Sequence, residues 1–409
     1  MSNQPASATN SPRYSLLALA LGAFGIGMTE FVPIGLLPQI AEHFSVSIPA
    51  AGWVVSVYAL GVLVGVPIMT VVGSRLNRRT MLAGLMVLYA VGNLVTALAP
   101  SFGFLLGGRV LASFTHGAFF GIGAIVAAQL VGPAQRSGAI AMMFTGLTLA
   151  NLVGVPAGAW IGAVAGWQAT FAVMVALGLL AAGALWVLIP RLAPPAGFSF
   201  KGELRSAARP QVIMAMLVTL LGFGGVFAAI TYLAPMLHAE AGVSESGMTL
   251  MLALLGVGMV VGNSLGGRLA DRHQIATAVA GLLGLILALG SLAFTMHSYW
   301  AAAVSVLLIG GFGFLIVPPL QARVLDQAAA APTLASALNI GAFNIGNAVA
   351  AWAAGATLSL GWGYASAAWV GVGLSALGLV VLLVSVASKR GAAPEPEPAV
   401  AAGQELRTA

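Results

Sequence analysis

Three ionisable side chains stand in stretches of the chain that carry almost no other charge. Glu30 lies in GIGMTEFVPIGLLP (25–38), and no other charged residue occurs from Tyr14 to Pro38. Arg109 and His116 lie in RVLASFTHGAFFGIGA (109–124), with Ser113 between them. On a helix the spacing i, i+4, i+7 puts those three on one polar stripe. A carboxylate buried in an apolar span costs roughly 2.5–3.5 kcal/mol on insertion scales. The chemistry it offers in return is proton carriage: a nearby guanidinium favours the carboxylate, and burial favours the neutral acid. A surrounding that alternately wets and closes would shift that balance. Two plainer readings stand beside this one, a static Glu30–Arg109 ion pair and a buried His116 satisfied by a carbonyl. A hydrolase site on Ser113 and His116 lacks an orienting acid on that helix and a nucleophile-elbow motif.

The elements that position these residues follow from composition. Of 409 residues, 60% are hydrophobic and 6% charged, against about 25% charged in soluble chains. Apolar runs of about 20 residues recur throughout, each long enough to span a ~30 Å hydrocarbon core as a helix. This is an integral membrane protein of all-α class. The 53 glycines fit closely packed membrane helices. There is no cysteine, so thiol and disulfide chemistry is excluded. The first apolar run is too long for a signal peptide and has no small-residue cleavage site, so it reads as a retained span.

Hydropathy with Gly, Pro and charge clusters as punctuation predicts twelve spans: 14–38, 51–73, 80–98, 104–129, 138–162, 168–190, 211–235, 248–267, 276–296, 300–320, 333–357 and 366–387. The flanking segments are an N-tail (1–13), a central connection (191–210) and a Pro/Glu-rich C-tail (388–409) expected to be disordered. The connection divides the spans into halves at 14–190 and 211–387. Fifteen of the sixteen Lys and Arg residues fall on one side of this arrangement, and the sixteenth is Arg109. The positive-inside rule makes that side cytoplasmic, with both termini on it. Trp53, Trp160, Trp167, Trp300, Trp362 and Trp369 fall at the opposite ends of their spans, as an interfacial belt would. Glu30 and Arg109 then lie at similar depths, roughly 11 Å and 8 Å below the outer ends of spans 1 and 4.

One shift of 197 residues aligns the halves from end to end. It pairs Pro38 with Pro235, Gly61 with Gly258, Gly65 with Gly262, Arg75 with Arg272, Gly158 with Gly355 and Gly166 with Gly363. Two six-helix halves of the same sense are parallel repeats, a transporter plan with the substrate near the midplane between them. Glu30, Arg109 and His116 align with Phe227, Val306 and Gly313, so the ionisable chemistry belongs to the first half.

These residues resemble a family. The chain is similar to major-facilitator proteins of the twelve-spanner drug:proton antiporter branch, especially its arabinose-efflux and sugar-efflux permeases. The resemblance spans roughly residues 14–387. It rests on TEFVPIGLLP, RVLASFTHGAFFGIGA, NLVGVPAG and GGRLADRH. The last matches the family's cytoplasmic loop motif, which the resemblance implies braces a helix end when that side is closed. Gly267, Asp271 and Arg272 carry it intact. The first copy, TVVGSRLNRR, has Thr70, Ser74 and Asn77 in place of glycine, acid and glycine. A serine can cap a helix but brings no charge, so Arg75, Arg78 and Arg79 could equally be topology determinants alone. In span 5, Gly154, Pro156, Gly158 and Gly162 resemble the antiporter motif, with the proline expected to bend the helix where the halves meet.

Candidate substrate contacts are Met28, Phe31, Tyr58, Ser113, Asn151, Phe227, Tyr232, Asn339, Phe343 and Asn347, although helix–helix hydrogen bonds also explain such polar residues. No GxxxxGK[ST] loop occurs, so a gradient must supply any energy. One proton crossing on the order of 150 mV supplies about 3.5 kcal/mol, enough for a roughly 300-fold gradient of a neutral compound. A sodium site would want several oxygen ligands, and a lone glutamate suits protons better. The leading reading is proton-coupled efflux of a small organic compound, a drug-like amphiphile or a sugar. It needs no cofactor, metal or nucleic acid, and is expected to work as a monomer in the inner (plasma) membrane. Uptake or facilitated diffusion on the same fold is the alternative. A non-transporting receptor or membrane enzyme is the third reading.

Overall fold

The computed structural model describes residues 12–73, 76–192 and 199–391. Among them every regular element is helical, since in lipid each segment must pair its own backbone groups and only a helix or a closed barrel does so. Eleven helical stretches among the described residues are long and apolar enough to cross a bilayer. The longest, Gly247–Thr295, has 49 residues; at about 1.5 Å per residue it is more than twice a hydrocarbon core. It lies within Glu245–Thr295 and breaks at His273, whose backbone (φ −142°, ψ 67°) is not helical, so it holds spans 8 and 9. Twelve crossings result.

Spans 1 to 7 are Pro12–His43, Trp53–Gly73, Arg78–Ala97, Phe102–Gln129, Pro133–Ala165, Trp167–Leu188 and Pro210–Ile230. Spans 10 to 12 are Tyr299–Gln327, Pro332–Ser359 and Ala365–Ser388. Span 1 continues past its expected end because Pro33 and Pro38 lie inside the helix, a placement membrane helices tolerate. Span 7 stops short of Pro235, and a separate helix, Leu233–Ala241, follows a turn at Tyr232. The central connection holds a further helix, Phe200–Ala207, capped where the Ser199 hydroxyl accepts from Gly202 N at 3.3 Å. Five of the six outer tryptophans are exposed. Trp167 is the exception: it is 3% exposed and packs edge-on against His43 and Phe171. The N-tail as far as residue 11, Ser74, Arg75 and the C-tail from 392 lie outside the described residues.

The 197-residue repeat reappears in the packing. A Cβ on Gly61 would overlap the Ser113 side chain, and one on Gly65 would lie 2.6 Å from Phe114 Cα, so span 2 touches span 4 there. The partners of Gly258 and Gly262 on span 8 are Leu307, Gly310 and Gly311 of span 10, the repeat counterparts of Val110, Ser113 and Phe114. Small residues permit this approach, and nothing larger fits. Gly262→Val is therefore expected to lower the melting temperature in detergent, by an overpacking cost of about 1–3 kcal/mol or more. Gly373→Ala, where a Cβ meets nothing within 4 Å, should leave it unchanged; equal effects would show that the seam is loose.

The glycines of span 5 pack within the first half. Gly146, Gly154, Gly158 and Gly162 face span 1 of the same half, against Ala20, Met28, Val32 and Leu36. Span 5 meets the other half elsewhere, through Leu152 against Gly256. The helix widens into a π turn at Ala150–Gly154 just before Pro156, a distortion common beside functional sites. Thr219–Phe223 in span 7 does the same.

Candidate functional site

Between the halves lies a cavity of about 760 Å³. The first half lines it with Glu30, Phe31, His116, Phe120, Phe144 and Asn151; the second with Phe223, Phe227, Phe314, Phe343, Asn344 and Asn347. Both π turns contribute to it, through Asn151 and Phe223. Phe120 and Phe144 stack with centroids 5.0 Å apart and planes at 8°. Phe223 meets Phe343 edge-on at 4.8 Å and Phe314 at 5.5 Å. Among the described lining residues Glu30 is the only acid, and no Lys or Arg lines the cavity.

Glu30 Oε2 lies 3.9 Å from His116 Nδ1, with the carboxylate side chain 19% exposed. The same nitrogen is 3.2 Å from the Tyr58 hydroxyl. Arg109 is fully buried behind this pair and is not within ion-pair distance of Glu30. It donates from Nη1 to Thr29 Oγ1 at 2.9 Å and from Nε to the Val54 carbonyl at 3.1 Å, and its guanidinium covers the Tyr58 ring at 4.4 Å. Thr29 in turn donates to Asn93 Oδ1 at 2.8 Å, and the Tyr89 hydroxyl donates to the Gly25 carbonyl at 2.8 Å. A static Glu30–Arg109 pair is thus not what joins spans 1 and 4. Arg109 joins spans 1, 2 and 4 through neutral partners and leaves Glu30 open to the cavity and to His116.

Five of the ten candidate substrate contacts line the cavity: Phe31, Asn151, Phe227, Phe343 and Asn347. The others are spent on packing. Met28 is buried against Gly154. The Ser113 hydroxyl donates to the Val110 carbonyl, the Tyr232 hydroxyl to the Ala351 carbonyl, and Asn339 Nδ2 to Gln321 Oε1 at 2.7 Å. Tyr58 touches the site only through His116 and Arg109. Sequence reasoning does not single out Thr29, Asn93, Phe120, Phe144, Phe223 or Phe314. For Asn93 a signal exists, since an asparagine in an apolar span wants a partner as much as a charge does.

Of the conformational-motif residues, Arg78, Gly267, Asp271 and Arg272 lie at the end that carries the basic residues, called here the basic end. Asp271 accepts from Ser137 N at 2.7 Å and Gly138 N at 3.0 Å, holding the end of span 8 to the start of span 5. Gly267 permits this approach, because a Cβ there would overlap Ala141 Cβ. Arg272 lines a second pocket of about 560 Å³ beside Asp271. Further bonds between the halves cluster on this side: Asn263 Nδ2 to the Ala141 carbonyl (2.7 Å), Ser336 Oγ to the Gly121 carbonyl (2.8 Å) and Arg78 Nη2 to Thr333 Oγ1 (3.1 Å). The cavity extends the other way, past Ile34, Ala159, Ile230 and Thr249. The halves are drawn together at the basic end, below the cavity floor.

The sequence profile of the Major Facilitator Superfamily matches residues 19–341 and 239–408. This chain belongs to the major facilitator superfamily. Inner membrane transport protein YdhP of Escherichia coli (strain K12) is 46% identical over 348 residues, 85% of this chain and 90% of that protein. A chloramphenicol resistance protein of Streptomyces lividans is 34% identical over 349 residues, 84% of this chain and 88% of that protein. Among solved structures, the major-facilitator transporter FucP in its outward conformation matches with a TM-score of 0.74 at 16% identity, covering 90% of this chain and 98% of that one. That last likeness concerns the fold alone. A major-facilitator chain is a membrane transporter and not an enzyme, and the hydrolase reading of Ser113 and His116 falls with it. The Ser113 hydroxyl donates to a backbone carbonyl, that of Val110, and packs against Gly61.

Proposed function

We propose that the protein exports small aromatic amphiphiles in exchange for protons, with Glu30 as the proton carrier and His116 as its partner. The observation that carries this reading is a lone carboxylate in the wall of a phenylalanine-lined cavity between two halves that must rock about it. When the cavity opens to water the carboxylate is stabilised, and when it closes the neutral acid is. Protonation of Glu30 from one side and release to the other couples the proton gradient to that motion. Arg109 acts from behind, by fixing the positions of Thr29 and Tyr58 on either side of the pair.

Seven phenylalanines line the cavity, and ring stacking with each is worth about 0.5–1.5 kcal/mol beyond area burial. A sugar would instead need many hydrogen-bond partners, so an amphiphile fits the lining better. The carboxamides of Asn151, Asn344 and Asn347 serve to orient it. The relative named for chloramphenicol resistance supports export of such a compound, and makes chloramphenicol, an aromatic amide, the first compound to test. The relative named as an inner membrane protein supports that location, with the basic end cytoplasmic. One chain encloses the whole cavity, which suits a monomer.

Proteoliposome flux tests the function: export that collapses when the pH gradient is removed supports it, and downhill flux indifferent to pH would leave facilitated diffusion. Orientation has its own test. Cysteines placed singly at Ser101, Ser244 and Ser298 are expected to react in intact cells with an impermeant reagent. Those at Gln135 and Ala208, exposed at the basic end, are expected to stay silent. Reaction at the second pair would reverse the topology.

A further inference from the structure

At the basic end Asp271 holds the first turn of span 5 by accepting from Ser137 N and Gly138 N. The first turn of a helix has unpaired N–H groups and the positive end of the helix dipole, so a carboxylate there forms a charge-assisted bond. The 197-residue repeat carries Ser137 onto Leu334, at the start of span 11, and Asp271 onto Ser74. Serine has no charge to offer. The Leu334 N–H is nevertheless held by a carboxylate, Glu203 Oε2, at 2.8 Å. Glu203 belongs to neither repeat. It sits on the helix Phe200–Ala207 of the central connection, and it is only 3% exposed. The adjacent Thr333 is gripped by Arg78, itself buried.

We infer that Glu203 is a positioning residue of the transport cycle: it supplies, from the central helix, the acid that the first loop motif lacks, and clamps span 11 while the basic end is closed. The helix Phe200–Ala207 packs on spans 7 and 11, so Glu203 reaches the first half through Arg78 of span 3, which faces the carboxylate and donates to Thr333 across the halves. Opening the basic end draws that cation away from a buried carboxylate, and leaving a buried charge unpaired is strongly unfavourable. Two acids therefore serve the closed basic end, Asp271 of span 8 on the first turn of span 5 and Glu203 of the central connection on the first turn of span 11. The central connection is part of the gate and not a tether. This rests on transport by alternating access and is independent of proton coupling, so the test reads conformation and not flux.

Spin labels at Gln135 and Ala330, exposed at the basic end of opposite halves, report whether that end is open, by pulsed dipolar distance measurement. In Glu203→Gln the open population relative to the closed one is expected to rise roughly tenfold, equal to about 1.4 kcal/mol. Adding Ser74→Asp to that variant should return the ratio to within about twofold of the starting protein, which general destabilisation would not do. Lys201→Gln, an exposed neighbour on the same helix, should leave the ratio unchanged. Distances in Glu203→Gln identical to those of the unaltered protein would overturn the inference, and so would an opening that Ser74→Asp fails to reverse.

Discussion

Glu30→Gln is expected to reduce the substrate gradient the protein can sustain from roughly 300-fold to none, at a driving potential on the order of 150 mV. Glutamine has nearly the size and hydrogen-bonding capacity of the protonated acid but cannot release a proton. The variant should still fold, because Glu30 makes no buried ion pair with Arg109 whose loss would strand a charge. It should still bind substrate, because the phenylalanine lining is untouched. Downhill movement can persist, with no response to pH. Concentrative export retained by this variant would remove Glu30 from the coupling and turn attention to His116.

Asp271→Asn is the second large effect. It removes the charge from two bonds to the first turn of span 5, and each bond to a charged group is worth about 1.5–3 kcal/mol. A loss of that size shifts the conformational balance toward opening at the basic end by at least about tenfold, and transport should fall severely because one closed state is depleted. Gly138→Ala separates geometry from charge, since a Cβ there would lie 2.6 Å from Asp271 Oδ2. Both variants should open the basic end in the same label pair. Wild-type distances in Asp271→Asn would mean that packing alone, through Gly267 and Asn263, keeps the end closed.

Some of this was legible in one dimension. Spans, a basic end and the 197-residue repeat follow from where apolar runs, arginines and glycines fall, and the repeat returned in three dimensions as the Gly61 and Gly258 seams. Glu30 and His116 stood out because charge is rare in an apolar run. The cavity lining did not stand out, for a physical reason: Phe120 facing a cavity and Phe294 facing outward are the same residue type in the same kind of run, and only the neighbouring helix distinguishes them. Tyr232 and Asn339 looked like ligand contacts because a polar group in a membrane must find a partner, and helix packing supplied it. Glu203 was hidden differently. It lies among charged neighbours in a connection, and its partner is 131 residues away in sequence, so no local pattern marks it as buried.

Substrate and proton are exchanged in one cavity in this mechanism, and their exchange can be observed without a membrane. Purified protein in weakly buffered detergent, with a pH indicator and an aromatic ligand added in excess, reports protons released on binding. Scanned across pH, the unaltered protein should release up to one proton per ligand bound, and Glu30→Gln should bind the same ligand and release none. Binding without proton release at any pH in the unaltered protein, or release undiminished in Glu30→Gln, would contradict proton exchange at Glu30.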